Sequence, residues 1–266
     1  MGGVEVGIKR RDFLRIIGTA GAVGALGAFI PPGLRYISPE IPPQQPYPRT
    51  LLVWEDGSPV RASELEVNKP YLFHYPLKTT PAFLFNLGDP QGNPVEVPPM
   101  ELPHTMDPLE EEPYVFRITG GRVEVADIRG RGGVYRFPGG VGPNKSIIAL
   151  SGRCQHFACD APAAVKYYPP GKTVQLARSP ILEKGGVIYC ICHGSAYDPY
   201  RGGVVLLAPA PRPLPPIILE WDEANDTLYA VGMPEGAPTI LKLFCNTCAE
   251  EEELAGSEAI VTPIEV

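Results

Sequence analysis

The chain has 266 residues, 44% of them hydrophobic, and a formal net charge of −7. That is enough apolar side chain for a real core and the wrong charge for a phosphate backbone, so disorder and nucleic-acid binding are both excluded as starting points. Thirty-three prolines and 29 glycines predict short strands and many turns in place of continuous helix, and such proline enrichment is also one device of thermophilic proteins.

The amino terminus differs from the rest. Residues 1–15 end in "KRRDFLR", and residues 16–34 form a charge-free run of 19 residues. Paired arginines before an apolar run resemble a twin-arginine export signal, which passes folded proteins with their cofactors in place. The run is just long enough to span a bilayer, and its glycines and alanines give small-xxx-small pairs for another membrane helix. We therefore expect a retained anchor, a cleaved signal being the alternative. The basic residues before it keep the amino terminus in the cytoplasm and put the bulk of the chain on the extracytoplasmic side of the cell membrane.

Residues 35–49 read as a proline-rich linker. From residue 50, β-like runs alternate with turn signals: "LLVWEDGS", "YLFHYPL", "AFLFNLGDPQGNP", "YVFRITGGRVEVADI", "VYRFPGG", "SIIALSG" and "GVIYCICHG", with "PIILEWDEANDTLYAVG" as two strands joined by a polar turn. The expected fold class is all-β, with antiparallel sheets stacked on one another. A basal β domain over 50–144 and 217–243 would enclose a smaller subdomain over 145–216, leaving 244–266 as a tail. "GGVGPNKS" only superficially looks like a phosphate loop, since Asn144 stands where a glycine is needed.

Two boxes carry the chemistry. "SGRCQHFAC" places Cys154, His156 and Cys159 within six positions, and "YCICHGSAYD" repeats the ingredients with Cys190, Cys192 and His193. Cys154 with His156 and Cys190 with His193 supply two sulfur and two nitrogen ligands from two tight loops. That set suits a structural zinc or a mixed-ligand iron cluster, and Cys159 and Cys192 are left over, one per box.

The pattern C-x-H-x-x-C followed by C-x-C-H-G-S-x-Y resembles the boxes of Rieske iron-sulfur proteins. The likeness is to the high-potential kind of quinol-oxidising bc-type complexes and, in the insertion between the boxes and the twin-arginine anchor, to archaeal membrane-anchored members. The resemblance implies a 2Fe-2S cluster, with Cys154 and Cys190 on one iron and His156 and His193 on the other. It further implies a Cys159–Cys192 disulfide, and hydroxyls of Ser195 and Tyr197 that donate to cluster or ligand sulfur and raise the potential. "APAPRPLPP" resembles the proline loop over the cluster. Phe157 stands where a leucine is common, and Ala158 and Ala208 where glycine is.

By the same likeness, quinol gives an electron to the cluster and a proton to His156 or His193. The electron then passes to a cytochrome c-like or oxidase acceptor, in a complex built on cytochrome b. The expected role is that of a redox subunit of a quinol:cytochrome c oxidoreductase-like complex. The alternative is the Rieske subunit of an arsenite-oxidase-like molybdenum enzyme, which membrane residence would disfavour. A ring-hydroxylating oxygenase is disfavoured because only His74 and His104 remain for its mononuclear iron, and both read as ordinary core or surface residues. Cys245 and Cys248 read as a small disulfide loop, and Trp221, Tyr167 and Tyr168 as packing residues.

Overall fold

Proline and glycine punctuation leaves the described residues of this chain as strands with almost no helix. The computed structural model describes residues 47–106, 118–119, 122–123, 130–172, 183–238 and 253–265. The expected signal and anchor, most of the linker, and Cys245 and Cys248 lie outside the described residues. Among the described residues, no helix is long and apolar enough to cross a membrane.

Sixteen strands are described: β1 (Thr50–Val53), β2 (Pro70–His74), β3 (Pro81–Asn86), β4 (Met100–Met106), β5 (Ile118–Thr119), β6 (Arg122–Val123), β7 (Gly130–Phe137) and β8 (Ile147–Ser151) make the first half. Then come β9 (Val165–Tyr168), β10 (Val187–Cys190), β11 (Ala196–Asp198), β12 (Val204–Leu207), β13 (Pro216–Asp222), β14 (Thr227–Gly232), β15 (Glu258–Ile260) and β16 (Thr262–Pro263). The fold class is all-β and dominantly antiparallel, as expected, with the strands of the base joined in one curled sheet.

The larger sheet runs β15-β1-β14-β13-β8-β3-β2-β16. Its two edges are the same stretch of chain. Ile260 pairs with Val53 of β1, Thr262 pairs with Leu72 of β2, and the N–H of Val261 between them bonds the Val53 carbonyl. The sheet therefore closes on itself, which removes the open edges that invite aggregation. The segment expected as a tail supplies these closing strands, and β1–β15 is a parallel pair among antiparallel neighbours.

Closure creates two cores. Leu52, Phe73, Leu84, Ala149, Leu219, Leu228 and Val261 fill one. Phe83, Phe85, Leu150, Tyr167, Ile188, Tyr197 and Leu214 fill the other, shared between the outside of the base and a four-stranded sheet ordered β12-β11-β10-β9. β3 and β8 are walls of both, so every one of their residues is buried. That explains why "PAFLFN" and "IIALS" are continuous apolar runs without polar alternation. Each fully buried Phe or Leu there contributes about 1.5–3 kcal/mol.

Topology then positions the site. β8 belongs to the base and β9 to the small sheet, so the first box is the crossing between them. The second box is the turn from β10 to β11. The insertion between the boxes supplies β9, whose Tyr167 is buried beside Phe85 with ring centroids 4.7 Å apart.

Candidate metal centre

The first loop leaves β8 under close constraint. The Gly152 N–H bonds the Pro81 carbonyl, and a Cβ on Gly152 would come to 3.0 Å from that of Ala161. The Cys154 N–H bonds the Cys159 carbonyl at 2.8 Å and the Ala158 N–H bonds the Cys154 carbonyl at 3.1 Å, closing the loop at its base. Arg153 is 2% exposed and grips Asp160 with both ends of its guanidinium, Nε to Oδ1 at 2.7 Å and Nη2 to Oδ2 at 2.8 Å. Such a bidentate pair fixes geometry as well as charge.

The second loop is built alike. The Cys190 N–H bonds the Ser195 carbonyl at 2.8 Å and the Gly194 N–H bonds the Cys190 carbonyl at 3.0 Å. Gly194 has φ +89°, a conformation in which a side chain would be strained. The two loops are joined covalently by a disulfide between Cys159 and Cys192. Cys159, Cys190 and Cys192 bring three sulfur atoms within 4.8 Å of one another, but two are consumed in the disulfide and cannot act as thiolates.

The donors left are two thiols and two imidazoles. Cys154 and Cys190 are each 1% exposed and face one another. The Cys190 thiol donates to Cys154, so one of the pair ionises well below the ordinary thiol range while the other is held well above it. The Tyr197 hydroxyl lies 3.1 Å from Cys154 Sγ and accepts the Gln155 N–H at 3.0 Å, which leaves its own proton for the sulfur. The Ser195 hydroxyl, also bonded to the Cys154 sulfur, accepts the Ala210 N–H at 3.1 Å and is oriented the same way. Burial raises the Tyr197 hydroxyl's pKa first, and the neighbouring Cys154 sulfur adds to it, so it stays a donor.

The imidazoles of His156 and His193 meet edge to face with centroids 4.8 Å apart. His156 Nδ1 is buried and takes no hydrogen-bond partner. An unsatisfied ring nitrogen in such a place is costly unless something else takes its lone pair. A metal ion does so, and two thiols with two imidazoles are the donor set of a 2Fe-2S cluster with nitrogen ligands on one iron. The residues present therefore fit that group. His193 and the Phe157 ring are exposed while the thiols are not, so the site is sulfur-lined inside and imidazole-faced outside.

The candidate residues Cys154, His156, Cys159, Cys190, Cys192, His193, Ser195 and Tyr197 thus converge on one spot. His74 is exposed at the end of β2 and is not among these donors, and the side chain of His104, in β4, lies outside the described residues. Sequence reasoning missed Arg153, Asp160, Gln155 and Ala210. The first two had a signal, opposite charges placed immediately outside the two cysteines of the first box. Ala158 has φ +57°, which gives a backbone reason for the glycine usual at that place.

The soluble domain of the Rieske protein II from Sulfolobus acidocaldarius is 28% identical to this chain, over 74% of this chain and 82% of that one, with a TM-score of 0.42. Residues 96–218, which hold both boxes, the proline loop and the four-stranded sheet, match the family described as "Rieske [2Fe-2S] domain". The stretch that carries this site is accordingly a Rieske domain, and its cofactor is a 2Fe-2S cluster.

Proposed function

We propose that this Rieske electron-transfer protein takes electrons from a quinol and passes them to a cytochrome or oxidase subunit within a bc-type or terminal-oxidase complex. In this reading Cys154 and Cys190 hold one iron, and His156 and His193 the other. Residues 16–34 anchor the chain in the membrane, with the site on the extracytoplasmic side. The observation that carries it is the polarity of the site: sulfurs buried, imidazoles at the surface, and His156 Nδ1 turned inward without a protein partner.

A bound cluster supplies reversible one-electron chemistry at a potential that nitrogen ligation raises. The chain does the rest. With its inward nitrogen engaged, an imidazole presents its other nitrogen outward, where it accepts the hydrogen bond of a quinol hydroxyl and then its proton. Phe157, with its ring centroid 4.1 Å from that of His156 and 5.5 Å from that of His193, puts an apolar surface beside those rings. Ser195 and Tyr197 hold protons toward sulfur, which favours the more negative, reduced state.

The test is electron paramagnetic resonance of reduced membranes carrying the protein, with and without an inhibitor of quinol oxidation. A Rieske spectrum whose g-values move with the inhibitor is expected. A spectrum indifferent to it, from protein recovered in the soluble fraction, refutes the reading in favour of a subunit of an arsenite-oxidase-like enzyme.

A further inference from the structure

Charge is unevenly placed along this chain. Residues 145–216 contain eight Lys and Arg against three Asp and Glu, a net of +5 in a chain whose total is −7, so the remainder carries −12. Two of those three acids are spent internally, Asp160 on Arg153 and Asp198 on Arg201, both in ion pairs with buried guanidiniums. Glu183 is the third acid of the stretch. Against it stand the exposed Lys145, Lys166, Lys172 and Lys184 and the half-buried Arg212.

Two of these cations stand near residues of the second box. Lys166 lies directly across from Tyr189, the residue before Cys190, and is exposed between the buried Val165 and Tyr167. Arg212 is two residues beyond Ala210, whose N–H is fixed on Ser195. The same loops carry exposed apolar surface: Phe157 is 53% exposed and Ile191 44%, with Pro162, Ala208 and Pro209 also exposed. An apolar centre inside a charged rim is the anatomy of a protein interface. At physiological ionic strength charges beyond about 8 Å are screened, so an approaching partner responds to this face and not to the net charge.

We propose that the imidazole-bearing face docks a redox protein whose own electron-entry surface is ringed by carboxylates, with Lys166 and Arg212 as the rim contacts. This rests on the reading that the protein hands electrons to a protein acceptor. An anionic bilayer is the weaker candidate, because lipid recognition uses clusters of several adjacent basic residues, and Lys166 and Arg212 are 46 positions apart in the chain.

Stopped-flow spectroscopy tests it with the full-length, cluster-loaded protein in detergent. The reduced protein is mixed with an acidic or a basic c-type cytochrome, from about 50 to 500 mM salt, and haem reduction is followed. The acidic cytochrome is expected to react faster at low salt and to slow about tenfold across that range. Lys166→Glu with Arg212→Glu should remove that advantage and speed the basic cytochrome, with the cluster spectrum unchanged. Lys145→Glu, at the far end of β8 from the first box, should change the rate less than twofold. Preference for the basic cytochrome, rates without salt dependence, or an equal effect of Lys145→Glu would overturn the proposal while leaving electron transfer to a protein intact. Failure to reduce either cytochrome would instead overturn the underlying reading, and the proposal with it. Flotation with phosphatidylglycerol vesicles that is lost in the double variant would assign the face to lipid and overturn the protein partner.

Discussion

Replacing Cys159 and Cys192 together by alanine isolates what the cross-link does for the two loops. The bond closes a loop with a sequence separation of 33. The chain-entropy relation then gives about 3.7 kcal/mol of stabilisation, through restriction of the unfolded chain. Packing losses add little, since Cys192 is exposed and Cys159 only half-buried. The core shared by base and small sheet predicts a single transition, so urea unfolding of the cluster-free chain, followed by circular dichroism, should keep its shape. Its midpoint should fall by about 1–2 M. A loss under about 1 kcal/mol would refute the reasoning, because it would mean the loops are held together by contacts that persist when the chain unfolds.

Tyr197→Phe removes the proton donor to Cys154 and strands the buried Gln155 N–H. Stability should drop by about 1–3 kcal/mol in urea, and the midpoint potential should fall in direct voltammetry, because the reduced state loses the hydrogen bond it values more. Asp226 accepts from the Ser63 N–H, the Ser63 hydroxyl and Trp221 Nε1, and these bonds tie the β13–β14 turn to the 3-10 turn Ala62–Glu64. Partial burial raises its pKa, but the bonds from Ser63 and Trp221 outweigh that and hold the carboxyl below its usual value. Its folded-state value is thus depressed. Its contribution is fully present above about pH 3.9 and is lost as pH falls through the lower folded value. Asp226→Asn should therefore flatten the acid limb of a stability-against-pH curve. Gly202→Ala puts a Cβ 2.4 Å from Leu102 Cδ1 at φ +61°, so strain and overpacking together should cost about 3 kcal/mol and lower Tm by roughly 6–12 °C.

The site was more legible in the sequence than the fold that holds it. Ligand chemistry demands particular residue types at particular spacings, and Cys154, His156, Cys190 and His193 stand out against any packing explanation. β3, β8, β10 and the β13–β14 hairpin were readable because burial makes their runs apolar. β15 and β16 were not: five strand residues broken by Val261 and ended at Pro263 carry too little periodicity to be told from a tail. Their partners, Val53 and Leu72, lie about 190–210 positions earlier in the chain, and no local pattern encodes a pairing that distant. β9 was hidden for a related reason, since "VKYY" gains its burial from Phe85 in the base. The gripping of Asp160 by Arg153 shows only once the loop closes and buries the guanidinium.

That shared burial also constrains how the site can move. β3 and β8 present one set of side chains to the base core and the alternate set to the core under the metal centre. Phe83, Phe85 and Leu150 are each 0% exposed, so separating the small sheet from the base would uncover several large side chains at about 1.5–3 kcal/mol apiece. Hydrogen bonds cross the same boundary. Tyr200, beside the small sheet, donates to the Gly88 carbonyl in the base at 2.7 Å, and the Gly152 N–H holds the first box to Pro81 of β3. A fluctuation that frees the cluster loops alone is therefore expensive, and the small sheet cannot swing against the base. Any movement of the metal centre has to carry the base with it. The geometry of the two loops then stays unchanged in any such movement.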